Sequence, residues 1–228
     1  MKYTNESGRS MVEMLGVLAI IGVLSVGGIA GYSKAMNKFK INKTTDQVSM
    51  LVANIRTIYS TQGNYDGLDN ANAISFGVIP NDMIKTSTDG SGKTSTDLRN
   101  AFGGSVIIAA AEAREGSYKE AFTIEYNGLS DEACVTLATG DWGSGQSSGL
   151  LGVAAKKGGS GTAVADKATA ALLADAYTTG KKAALTGDGQ AVAVPGGIGA
   201  DATPMPVTKA VAACAGGGTV NSVAWKYY

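Results

Sequence analysis

At 228 residues the chain has room for one ordinary domain and an appendage, and its 19 lysines and arginines balance 19 aspartates and glutamates, so no long-range field draws it to nucleic acid. It contains no histidine, which removes the usual neutral-pH general base and the commonest metal ligand and sets enzymatic and metal-site readings at a disadvantage. Glycine occurs 32 times, but without a Gly-X-Y period and with only 4 prolines, so collagen is excluded.

The chain opens with a short polar prefix, MKYTNESG, and from Met14 to Tyr32 reads MLGVLAIIGVLSVGGIAGY without a charge. As a helix this run is about 28 Å long, enough to span a hydrocarbon core. No small-x-small cleavage site follows it, so the span is expected to be retained. Glu13, at its edge, is the only charge between Arg9 and Lys34. A carboxylate there is costly unless it is paired or solvated among head groups. Gly22, Gly27 and Gly31 are candidate helix-packing positions, the last two forming a GxxxG pair that lets helix backbones approach in lipid. Lys34, Lys38, Lys40 and Lys43 follow the span whereas only Lys2 and Arg9 precede it, a distribution that opposes the positive-inside rule for an exported C-terminal part.

Beyond the span the apolar residues Met36, Phe39, Val48, Leu51, Val52, Ile55, Ile58 and Tyr59 fall mostly at three- and four-residue steps. The pattern predicts one long helix, half in lipid and half amphipathic, ending near Gln62 where Gly63 and Asn64 supply a stop. Strands are predicted at Val106 to Ala109 and Ala121 to Tyr126, with Asn127 and Gly128 as a turn. Ser130 is the expected N-cap of a short helix over Asp131 to Thr139 that carries Cys134 and Leu137. Between Gly140 and Ala200 the chain is glycine-rich, interrupted by an alanine-rich stretch from Ala163 to Tyr177 that is expected to form a surface helix; the region is read as variable and solvent-facing, with a linker or disorder as alternatives. Asp188, between two glycines, reads as turn chemistry rather than part of a metal loop. The last segment, Val220 to Tyr228, alternates as a half-buried strand with Val223, Trp225 and Tyr227 on one side.

The two cysteines, Cys134 and Cys214, lack the CxxC spacing and histidine partners of a zinc site. A disulfide between them is the better reading, the alternative being two unrelated buried thiols. The bond would close a loop of about 80 residues, and the chain-entropy model assigns that closure about 4 to 5 kcal/mol. It implies an oxidising, exported location. No GxxxxGK[ST], HExxH, GxSxG or calcium-loop pattern is present, so neither catalytic residues nor cofactors are expected.

Gly8, Arg9, Ser10, Met11, Val12 and Glu13, followed by an apolar helix, resemble the type III signal of type IV prepilins. In that family a dedicated peptidase cuts after a glycine that lies five residues before a glutamate. The resemblance implies cleavage after Gly8, a mature chain beginning at Arg9, and Glu13 as the fifth mature residue. Arg9 departs from the apolar first residue that the family usually carries and N-methylates. The segment FTIEYNGLSDEACVTLATG and a second cysteine near the C-terminus are similar to type IVb pilins, the branch that includes toxin-coregulated, bundle-forming and thin conjugative pili.

What the resemblance implies is an α+β type IV pilin fold: a long N-terminal helix, half transmembrane and half amphipathic, packed on a mainly antiparallel sheet. It divides the chain into a leader at residues 1–8, a transmembrane and assembly helix at 9–33, and an amphipathic half-helix with a globular extracytoplasmic domain at 34–228. The implied partners are the membrane, a prepilin peptidase, the inner-membrane assembly machinery and further copies of the chain in a helical filament, in which Arg9 and Glu13 take part in assembly. The implied location is the inner membrane before assembly and a cell-surface pilus afterwards. The glycines from Gly22 to Gly28 would also permit local helix melting during assembly. A minor pilin, a type II secretion pseudopilin and a monomeric membrane-anchored binding module are the alternatives.

Overall fold

The computed structural model describes residues 7–88, 90–113, 118–143, 148–158, 189–193 and 204–228. The alanine-rich stretch Ala163 to Tyr177 and Asp188 lie outside them. The chain divides into two units, residues 1–40 and 41–228. Helix α1 is Ser7–Tyr59. It stops three residues earlier than the pattern suggests: a turn in which the Gln62 amide donates to the Tyr59 carbonyl at 3.0 Å closes its end, and Gly63 takes a left-handed φ of +65°.

Within the second unit, α1 places Ile41, Val48, Leu51, Val52, Ile55 and Tyr59 in the core, with Thr44 and Gln47 buried on the same stripe. Phe39 and Ile58 are exposed, so they fall off the stripe that the sequence pattern assigned them. The remaining elements are α2 (Asn70–Ser75), a 3-10 turn (Asn81–Met83), β1 (Ile84–Thr88), β2 (Thr94–Leu98), β3 (Val106–Ala111), β4 (Ala121–Leu129), α3 (Asp131–Ala138), β5 (Leu150–Lys156), β6 (Gly189–Ala193), α4 (Val207–Cys214) and β7 (Asn221–Tyr227). Strands β1 and β2 form a separate antiparallel hairpin, and the main sheet runs β3-β4-β7-β5-β6, antiparallel throughout.

Three expectations change. Asn127 and Gly128 do not form a turn; they lie inside β4, where the pairing with β7 shifts register between Tyr126 and Leu129. Gly128 has φ +72°, and a Cβ there would lie 2.8 Å from the Gly104 Cα, so a bulge against a second backbone uses the glycine that the sequence offered as a turn residue. The last strand is not half-buried. As the middle strand of five, β7 is buried at every residue from Asn221 to Tyr227. Nor is the whole glycine-rich region solvent-facing, because β5 pairs with β7 and buries Leu150 and Val153 in the core.

Trp225 is the centre of that core, with Tyr126 at 5.7 Å and Trp142 at 4.8 Å between ring centroids, both edge-on. Arg56 of α1 secures the end of β7: its Nε and Nη2 donate to the Tyr228 carbonyl at 3.2 and 3.0 Å, and the guanidinium lies 5.2 Å from the Tyr227 ring centroid.

The outer edge of β3 is covered by the α2 segment. Asn70 acts as a surrogate strand residue: the Ile108 amide donates to its Oδ1 at 2.7 Å and its Nδ2 donates to the Val106 carbonyl at 2.9 Å. Asn70→Ala leaves both backbone groups without these partners. The expected loss is about 1 to 3 kcal/mol, read by urea unfolding of the detergent-solubilised protein.

Candidate functional site

The described part of the N-terminal unit, residues 7–40, is one helical segment. Gly8 and Arg9 lie in the first turn of α1, and Glu13 follows one helical turn after Arg9, its own side chain exposed. From Met11 to Tyr32 every residue is exposed, consecutive apolar positions included: Leu15 is 61% exposed, Leu24 68% and Ile29 68%. A helix apolar around its whole circumference cannot be satisfied by one protein face, so lipid or other helices must cover it. Among the described residues, α1 is the one helix long and apolar enough to cross a membrane. Gly22, Gly27 and Gly31 are open within the subunit, since a Cβ at each would meet nothing within 4 Å. Among the described residues, nothing requires glycine at these positions, which leaves their backbone accessible to a partner helix.

The second unit carries the cysteine site. Cys134 sits on α3 and Cys214 is the last residue of α4; they form a disulfide with a Cα separation of 5.8 Å and are fully buried. Local chemistry sets this approach. The Ser130 hydroxyl accepts from the Ala133 amide at 3.3 Å and caps α3. Asp131, the next residue, accepts from Asn221 Nδ2 at 2.7 Å through Oδ1 and from the Gly216 amide at 3.1 Å through Oδ2. Its own amide donates to the Gly218 carbonyl at 3.1 Å. Gly216 and Gly218 both have positive φ, so the link from α4 to β7 doubles back onto α3 where Cys214 meets Cys134. Helix α4 and the role of Asp131 escaped the sequence reading: α4 is eight residues of Val, Ala, Thr, Lys and Cys beside a glycine-rich region, and Asp131 carries no motif.

A polar groove of about 530 Å³ lies in the second unit, bounded by Lys43, Gln47, Asp82, Lys85, Asp97 and Arg99 among others. Lys43 pairs with Asp82 at 2.8 Å, and Gln47 Nε2 donates to the same carboxylate at 3.1 Å; the Lys43 bond, opposed by partial burial, holds the Asp82 carboxyl below the usual carboxylate range. Elsewhere Asp66 is held low by Lys119 and by the Tyr118 hydroxyl, while burial pushes the Tyr227 phenol up to about 12 against the opposing effect of Arg56. Among the described residues, no group of three histidine, cysteine, aspartate or glutamate side chains is placed to hold a metal ion. Gln47 had a sequence signal, being four residues after Lys43 on the helix; Asp82 had none.

The family described as PilS N terminal matches residues 38–182. A toxin coregulated pilin of Vibrio cholerae serotype O1 is 29% identical over 175 residues, covering 75% of each chain. A second toxin coregulated pilin of Vibrio cholerae is 27% identical over 139 residues, 60% of this chain and 59% of that one. Among solved structures, a type IV pilin of the Vibrio cholerae El Tor biotype superposes with a TM-score of 0.51 at 22% identity, covering 83% of this chain and 99% of the other.

Proposed function

The chain belongs to the PilS N-terminal family and is a type IVb-like pilin, a structural subunit of a pilus, and from that premise we propose how it enters the filament. A prepilin peptidase removes residues 1–8 by cutting after Gly8, and the mature chain starts at Arg9. The subunit waits in the inner membrane on the apolar part of α1, with the disulfide-bearing unit outside the cytoplasm, and the assembly machinery then moves it into a helical filament. Its role is structural: it supplies surface and contacts rather than a reacting group.

The observation that carries this reading is the uncovered apolar circumference of α1 directly after the Gly8 to Glu13 spacing. Exchanging lipid for neighbouring copies of the same helix keeps that surface out of water at every stage. Glu13 is the one charge inside the exchange, and cleavage provides its partner, an α-ammonium on Arg9 four residues away in sequence and also present on each neighbouring subunit. The lysines after the span oppose this orientation by the positive-inside rule. The buried disulfide favours it, because such bonds persist in oxidising compartments.

Intact-mass analysis of filaments sheared from cells is the test. The expected subunit begins at Arg9, with or without one N-methyl group. Assembled protein still carrying Met1 to Gly8 would refute the processing step. Sheared filaments in which this chain is scarce would move it to a minor pilin.

A further inference from the structure

Among the described residues, the hairpin of β1 and β2 buries almost nothing of its own. Apart from Ile84 and Leu98 at its base, every described residue of the two strands is exposed, and among the described residues no third strand pairs with either. Two-stranded ribbons are marginal alone, and an unpaired edge presents a row of backbone donors and acceptors for another strand. Natural edges are commonly blunted by a bulge, a proline or a charge in mid-strand. Here neither strand holds a proline, the register from Ile84 to Thr88 is unbroken, and the one charge in each strand, Lys85 or Asp97, faces its opposite across the pair.

The sequence of these strands is a repeat. KTSTD occupies residues 85–89 and again 93–97. Set antiparallel to itself, KTSTD places Lys against Asp at both ends and matches Thr with Thr and Ser with Ser between them. Within one subunit this is the observed pairing: Lys85 faces Asp97, Thr86 faces Thr96 and Ser87 faces Ser95, the two serine hydroxyls 3.1 Å apart. Each strand is therefore complementary in charge and in side-chain size to either strand of another copy. The strongest complement for an outer edge of this hairpin is the same hairpin on a second subunit.

We propose that the hairpin is a strand-pairing site between copies of this chain, the outer edge of β1 in one subunit meeting the outer edge of β2 in the next, antiparallel and in the register that the hairpin itself uses. The inference rests on the filament reading above. A helical polymer repeats one head-to-tail contact, and β1 of one copy meeting β2 of the next supplies both halves of it, whereas β1 meeting β1 would be two-fold and would close at a dimer. The intramolecular register also suits the pleat. Residues whose backbone groups point outward on one edge meet outward-pointing residues on the other, and Ser87 of one copy stays on the same face as Ser95 of the next.

Cysteine cross-linking in assembled pili tests this. Facing residues in an antiparallel pair have Cα atoms about 4.5 or about 5.5 Å apart, and both distances suit a disulfide. Full-length Ser87→Cys and Ser95→Cys chains are expressed singly and together, filaments are counted and sheared, and the products of mild oxidation are separated by mass. Covalent dimers are expected from mixed filaments and from neither variant alone. A Ser87→Cys/Ser95→Cys double variant in one chain is expected to close an internal bond, which shows that the thiols react. Mixed filaments in normal numbers without dimers would overturn the pairing, and dimers from one variant alone would overturn its head-to-tail sense. Wild-type cells without filaments would refute the filament reading itself.

Discussion

Glu13→Gln is expected to abolish filament growth while membrane insertion and formation of the Cys134–Cys214 bond stay at wild-type levels. Glutamine keeps the size and hydrogen-bonding capacity of the side chain and removes its charge, so the variant isolates the ionic contribution. In the subunit Glu13 is exposed, at the edge of a helix whose apolar residues are uncovered on all sides. When those residues pack against neighbouring helices, Glu13 enters a medium in which an unpaired carboxylate costs several kcal/mol. On the proposed pathway, the α-ammonium that cleavage after Gly8 would release is expected to offset that cost by pairing across subunits. Breaking a buried pair of this kind costs about 3 to 5 kcal/mol, which lowers an association constant by at least about 100-fold. Arg9 offers a competing partner within the subunit, four residues away on the same helix. An exposed pair at that spacing contributes only about 0.3 to 0.5 kcal/mol, so it cannot replace the intersubunit contact. Filament counts by electron microscopy, normalised to membrane protein, provide the reading. Wild-type numbers from Glu13→Gln would reduce the residue to a boundary or recognition mark.

Replacing both cysteines, Cys134→Ser with Cys214→Ser, is expected to remove most of the folded second unit at 37 °C. The bond spans 80 positions, and closing a loop of that length contributes about 4 to 5 kcal/mol. Single domains have only about 5 to 15 kcal/mol in total. The loss also falls on elements with little else to hold them, since α3 and α4 are eight residues each and are carried mainly by small side chains such as Ala133, Ala210 and Ala213. The network of Asp131 with Asn221 and Gly216 remains in the variant and continues to tie α3 to the start of β7, but it does not hold α4 along its length. Protease resistance of the second unit, compared with and without reductant in wild type, measures the effect. Resistance and filament numbers unchanged in the double serine variant would show that the non-covalent contacts suffice.

The sequence by itself determined the parts of this protein that depend on composition and on short periodic patterns. The uncharged run from Met14 to Tyr32 is long and apolar enough for a membrane-length helix despite its five glycines, and the spacing of Val48, Leu51, Val52, Ile55 and Tyr59 marks a buried helical stripe whatever packs on it. Ser130 was legible as a cap because its hydroxyl serves an amide three residues away. The elements that only the tertiary structure decided are those whose role depends on a distant neighbour. Asn127 and Gly128 have turn chemistry, yet Gly104 and Asn100 lie against them and make the site a bulge in a continuing strand. The alternation in β7 read as one-sided burial, and its central place between β4 and β5 made it two-sided. Strand β5 was hidden in a glycine-rich stretch because its small residues, Gly152, Ala154 and Ala155, carry a signal only when β7 and β6 lie on either side. For Glu13 the order is reversed: its charge is plain in the sequence, the single subunit leaves it exposed, and the proposed partner belongs to another copy.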